Sequence, residues 1–160
     1  MNFNKVYKFL TGEKMRFAHT NIIARDWKRL SEFYQRVFGC MPVPPQRDLS
    51  GDWVDLFTGM KGAHIQGEHL RLPGYDENGP TLEIFSYNKM TDGDKQINKA
   101  GFSHIAFAVD DVTKALEILK KNGGTNLGEI VKQKFPNGKI GTFVYCKDPE
   151  GNIIELQKWE

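Results

Sequence analysis

Two histidines at matching places in two similar stretches are the residues best suited to chemistry. FAHTNIIARD (17–26) carries His19, and GFSHIAFAVDD (101–111) carries His104. Aligning Phe17 with Phe102 pairs His19 with His104, Asp26 with Asp111 and Gly39 with Gly124, without a gap. Such a match points to a duplicated module. Two glutamates extend the pattern: Glu83 in TLEIFSY (81–87) and Glu155 in IIELQKW (153–159). Two imidazoles and two carboxylates form a mixed N/O donor set for one divalent first-row ion: Ni, Zn, Co, Mn or Fe. The set lacks the thiolates usual in structural zinc sites. An octahedral ion held by four protein ligands keeps two positions for water or substrate oxygens, an arrangement suited to Lewis-acid work on a carbonyl or enolate.

A lone histidine in a strand is ordinarily a packed or solvated residue, so the argument rests on repetition of the same residue types in the same strands. His64 and His69, in GAHIQGEHL, have no counterpart in the second stretch and are assigned no ligand role.

The elements that position these residues follow from periodicity. In a strand over 102–109, His104, Ala106 and Ala108 share one face, and Ile105, Phe107 and Val109 share the other. His19 shares a face with Phe17 and Asn21 in a strand over 17–24. Glu83 lies opposite Leu82 and Ile84, and Glu155 opposite Ile154 and Leu156. All four potential ligands therefore point away from the side that helices cover.

A helix over 27–38 has Trp27, Leu30, Phe33, Tyr34, Val37 and Phe38 on one face. Asp26 is its expected N-cap, and Gly39 its left-handed stop. Residues 42–45, rich in proline, are expected to form a turn. Residues 53–57 and 63–72 are strand candidates, 73–80 (PGYDENGP) is a loop, and 81–87 is a strand. Residues 88–99 are polar and aperiodic. The second half repeats the order: Asp111 caps a helix over 112–122 bearing Val112, Ala115, Leu116 and Leu119, and Gly123-Gly124 ends it. Strands over 129–134 and 140–147 flank the turn 136–138, and a tight turn at 148–152 leads to the final strand over 153–159.

The reading is an α+β domain of two βαβββ modules. Residues 16–88 form the first and 101–160 the second, joined by a linker at 89–100. Residues 1–15 are an N-terminal extension, read as a short amphipathic helix through Val6, Phe9 and Leu10.

Composition narrows the class. With 160 residues, 39% hydrophobic and 26% charged, the chain is an ordinary globular domain. A net charge of +2 with scattered Lys and Arg gives no field for nucleic acid or a membrane surface. Cys40 and Cys146 have no metal-binding or disulfide spacing, so a reducing, cytoplasmic setting is expected. No apolar run approaches the ~20 residues needed to span a bilayer, and the opening residues do not read as a signal peptide.

FAHTNII, SEFYQRVFGC, TLEIFSY, GFSHIAFAVDDV and DPEGNIIELQKW together resemble the vicinal oxygen chelate superfamily, the glyoxalase/bleomycin resistance/dioxygenase fold. The resemblance implies paired βαβββ units forming a U-shaped mixed sheet around a metal, usually in a homodimer, acting on a small-molecule substrate. The glyoxalase I ligand pattern is His, Glu, His, Glu, met here by His19, Glu83, His104 and Glu155. It implies proton abstraction next to a carbonyl, with an enediolate or enolate stabilised on the metal. Glu155 would be the principal base, and Glu83 a ligand and second base. Methylmalonyl-CoA epimerases share that chemistry. Single-domain extradiol dioxygenases, which use His, His and Glu only, and non-catalytic bleomycin-binding proteins are the further alternatives. Bacterial glyoxalase I enzymes tend to carry Arg four residues after the first His and Asn four after the first Glu, for glutathione. Here those positions hold Ile23 and Tyr87, with Arg25 and Asn88 nearby. Phe85, Tyr87 and Trp159, on the glutamate faces, read as a partly apolar cleft or as ordinary packing.

Overall fold

The computed structural model describes residues 16–160, and the extension read at 1–15 lies outside them. Strand β1 (His19–Ile23) leads through Asp26, whose side chain accepts from the Arg29 amide, into helix α1 (Trp27–Phe38). Gly39 ends this helix at φ 68°, a backbone setting glycine adopts without a Cβ penalty. Strand β2 (Met41–Ser50), helix α2 (Asp52–Thr58), β3 (His64–Arg71) and β4 (Thr81–Tyr87) complete the first half. Its sheet has the order β1-β4-β3-β2, with β1 parallel to β4 and the other pairs antiparallel.

The second half repeats the plan with β5 (His104–Ala108), helix α3 (Val112–Lys121), β6 (Thr125–Asn126), β7 (Val131–Lys134), β8 (Ile140–Lys147) and β9 (Ile153–Trp159). Asp111 caps α3 by accepting from the Lys114 amide. The order is β5-β9-β8-β6, with β7 also on β8 and β5 parallel to β9. Residues 88–103 between the sheets hold no helix or strand.

Two expectations are corrected. Residues 42–45 are not a turn: they run within β2, because β2 is the edge strand of its sheet. An edge strand tolerates residues without an N–H, and the register shifts between Val43 and Arg47 where Pro44 and Pro45 interrupt the ladder. Residues 53–57 are not a strand but lie in α2. So short a run, apolar but for Asp55, does not separate helix from strand. Here Asp52 and Asp55 favour the helical first turn, and Asp55 also accepts from the Gly62 and Ala63 amides, tying α2 to the chain that follows. The short strand β6 was not anticipated.

One core serves both halves. Ile22, Leu70, Leu82 and Ile84 from the first sheet and Phe107, Val144, Cys146, Ile154 and Leu156 from the second join Leu30, Phe33 and Tyr34 of α1 and Leu119 of α3. Phe38 stacks on Phe107 with centroids 3.9 Å apart. Tyr34 Oη donates to Asp148 Oδ2 at 2.9 Å, a buried hydrogen bond between the halves. Among the described residues no helix is long and apolar enough to cross a membrane.

Because side chains alternate along a strand, turning these residues into the shared core turns their neighbours out. His19, Asn21, His69 and Glu83 therefore lie on the face of the first sheet away from the core, and His104, Ala106, Tyr145 and Glu155 on the corresponding face of the second.

Candidate functional site

Each outward face holds a His–Glu pair at matching positions of the repeat. On the second sheet, His104 Nε2 lies 3.1 Å from Glu155 Oε2. The parallel register places Ala106 beside Glu155, and its small side chain leaves the pair open. Tyr145 lies across from Glu155 on β8, its ring 5.1 Å from that of His104. On the first sheet, His19 Nε2 lies 3.4 Å from Glu83 Oε2, and Asn21, the register partner of Glu83, donates to the same oxygen at 3.2 Å. Neighbouring ligands of an octahedral ion at ordinary bond lengths stand roughly 3 Å apart. Each pair thus has the donor types and spacing of two adjacent ligands.

The structure brings His19 to Glu83 and His104 to Glu155, but it does not bring the two pairs into one coordination sphere. Among the described residues, no group of three or more His, Cys, Asp or Glu is placed to hold a metal ion. Each pair lies on the face of its own sheet opposite the shared core. A cavity of about 740 Å³ runs along the β1 and β5 edges and includes His19, Asn21, Phe102 and His104 in its lining.

His69, assigned no ligand role from the sequence, is brought against Glu83 by the fold. Its Nε2 stands 2.9 Å from Glu83 Oε1, and its Nδ1 3.2 Å from Thr81 Oγ1. Burial holds its imidazole below the ordinary value, against the pull of the Glu83 carboxylate. The signal available was register. Pairing β3 with β4 across the loop at 73–80 sets His69 directly opposite Glu83. His64, by contrast, pairs with exposed Asp48 at the far end of β3.

Towards Tyr87 the first open face carries an apolar patch. Ile65, Phe85 and Tyr87 share that face with Glu83, and Val54 of α2 closes over them with Ala63. Phe85 is thus packed rather than free, with its ring 5.8 Å from that of His69. Trp159 packs against Phe135 and Phe143. Two polar groups close in sequence to Ile23 and Tyr87 are engaged elsewhere: Arg25 pairs with Asp92, and Asn88 holds the His64 amide and the Gly62 carbonyl.

The sequence profile of the Glyoxalase/Bleomycin resistance protein/Dioxygenase superfamily matches residues 16–156. The chain belongs to this superfamily. A lactoylglutathione lyase of Neisseria meningitidis is 31% identical over 145 residues, covering 89% of this chain and 89% of the relative. The mitochondrial methylmalonyl-CoA epimerase of Homo sapiens is 29% identical over 149 residues, covering 89% of this chain and 73% of the relative. The chain spans only 37% of a longer relative, a probable chloroplastic lactoylglutathione lyase of Arabidopsis thaliana. Among solved structures, a glyoxalase family protein from Bacillus cereus superposes with a TM-score of 0.78 at 18% identity, covering 94% of this chain and 98% of that one. At that identity the likeness speaks for the fold.

Proposed function

We propose that the chain is a metal-dependent lyase or isomerase of the glyoxalase type, moving a proton at a carbon next to a carbonyl of a small substrate. The observation that carries this reading is the repeated pair: an imidazole and a carboxylate 3.1 Å apart on one sheet and 3.4 Å apart on the other, both on open faces. His19, Glu83, His104 and Glu155 would hold one divalent ion, drawn from Ni, Zn, Co, Mn and Fe. When bound, such an ion supplies Lewis-acid polarisation of a substrate carbonyl. Glu155 takes the proton from the substrate carbon and returns it, as a general base and then acid. Glu83 has less freedom, since His19, Asn21 and His69 all contact its carboxylate. It is the fixed donor, and a second base only in reserve.

Both pairs face away from the shared core, so a second copy of the chain completes the site in a homodimer. The first open face of one copy meets the second open face of the other, and each four-donor set draws on both. Phe17 and Phe102, exposed beside the two histidines, are covered in that arrangement.

Methylmalonyl-CoA epimerase-like activity is the second reading. It is favoured by the absence of Arg at Ile23 and of Asn at Tyr87, and by the engagement of Arg25 and Asn88. The test is metal analysis of the purified protein, followed by solvent-deuterium exchange into a methylglyoxal–glutathione adduct and into methylmalonyl-CoA with the metal restored. The reading expects a bound divalent ion and exchange into one of the two substrates. A chain that retains no divalent ion contradicts it.

A further inference from the structure

The two halves of the repeat differ at two positions beside the glutamates: Asn21 of the first corresponds to Ala106 of the second, and the antiparallel neighbours differ as well. The residue across from Glu155 is Tyr145, whereas the residue across from Glu83 is His69. The imidazole of His69 touches Glu83 Oε1, while Asn21 and His19 address Oε2. Three partners on two oxygens leave Glu83 little rotational freedom. Behind His69, Thr81 Oγ1 meets Nδ1 at 3.2 Å. A hydroxyl donating to Nδ1 leaves the proton on Nε2, where it faces the carboxylate. On the second sheet, Glu155 has one ion-pair partner among the described residues, His104.

We infer that His69 is a positioning residue: backed by Thr81, it occupies Glu83 Oε1 and so presents Oε2 as a single fixed donor beside His19 Nε2. This rests on the metal-site reading above and deepens it. Outer partners that orient a ligand contribute about 10–100-fold to metal affinity. The unequal neighbours also divide the two glutamates by role. Glu83 is clamped and serves as a donor, while Glu155 keeps the freedom that a proton carrier needs.

The experiment is cobalt(II) titration of the purified full chain, followed by calorimetry and by the visible spectrum of the bound ion, for the wild type and for His69→Ala, His69→Gln and Thr81→Val. Glutamine carries its amide nitrogen about where imidazole Nε2 sits, so it can still donate to Oε1. Thermal melts of the metal-free proteins report folding separately. The inference expects His69→Ala to weaken cobalt binding about 10–100-fold, His69→Gln to recover most of that loss, and Thr81→Val to fall between them with the wild-type spectrum kept. Unchanged affinity in His69→Ala overturns it. So does a His69→Gln variant as weak as His69→Ala, which would make His69 a ligand rather than a positioner. A wild-type chain that binds no cobalt overturns the metal-site reading, and this inference with it.

Discussion

The His104 imidazole and the Glu155 carboxylate meet at 3.1 Å across two parallel strands, and Ala106, the register partner of Glu155, is the small residue that keeps them open. Ala106 is exposed and packs on nothing in the core. Ala106→Phe is therefore expected to leave folding stability within about 0.5 kcal/mol of wild type while blocking the site. Cobalt affinity and urea unfolding, measured side by side, check this. A variant that binds the metal normally would show that this face is not the site.

Glu155→Gln tests the assignment of the base. The amide keeps an oxygen for the metal but cannot carry the proton. Turnover on whichever substrate exchanges deuterium is expected to fall by about 10²–10⁴-fold, the usual worth of a general base, with metal still bound. Near-normal turnover in a metal-loaded variant would move the proton transfer to Glu83.

Gly67 sits under the Phe85 ring on the open face of the first sheet. A Cβ there would overlap the Ile84 carbonyl oxygen and the ring itself, so Gly67→Ala must displace Phe85. Overpacking of this kind costs roughly 1–3 kcal/mol, and the Phe85 ring borders His69. Urea unfolding should show the loss, and cobalt binding should weaken with it. Wild-type stability would mean that the ring moves aside freely.

Asp148 is expected to give the fold a pH dependence. Burial raises its carboxyl above the ordinary value, against hydrogen bonds from Asn152, Tyr34 and the Glu150 amide. A carboxyl with a raised folded-state value contributes stability that is present below its unfolded value and lost as pH rises through the folded one. Asp148→Asn removes this titration. Its stability relative to wild type should be most favourable at neutral pH and decline as the solution is acidified. A difference that stays constant with pH would contradict the assignment.

Much of this was legible in the sequence, and the exceptions have physical causes. Strand β4 (Thr81–Tyr87), strand β9 (Ile153–Trp159) and helix α1 (Trp27–Phe38) were readable because period and flanking turn residues agreed. Asp26 and Asp111 were readable as caps because a carboxylate before an amphipathic run has one common use. The proline-bearing strand β2 was not, since only its edge position makes prolines acceptable there, and edge position is a property of the finished sheet. Gly39 and Gly124 align in the repeat yet serve different ends. Gly39 supplies a left-handed turn, whereas a Cβ on Gly124 would press on Leu119 and the Lys147 carbonyl. Repeat symmetry does not reveal His69, because His69 is a position where the two halves differ.

The most direct test of the central claim, that one metal site draws His19 and Glu83 from one copy and His104 and Glu155 from the other, is metal content in a mixed dimer. One chain carries His19→Ala with Glu83→Ala, the other His104→Ala with Glu155→Ala, and differently tagged copies are co-expressed and purified as the heterodimer. Each variant alone should bind no cobalt tightly. In the heterodimer, two-fold exchange of faces leaves one intact set of four donors beside one fully disabled set. The account predicts one tightly bound cobalt ion per heterodimer. A heterodimer as empty as the two parent variants would contradict it.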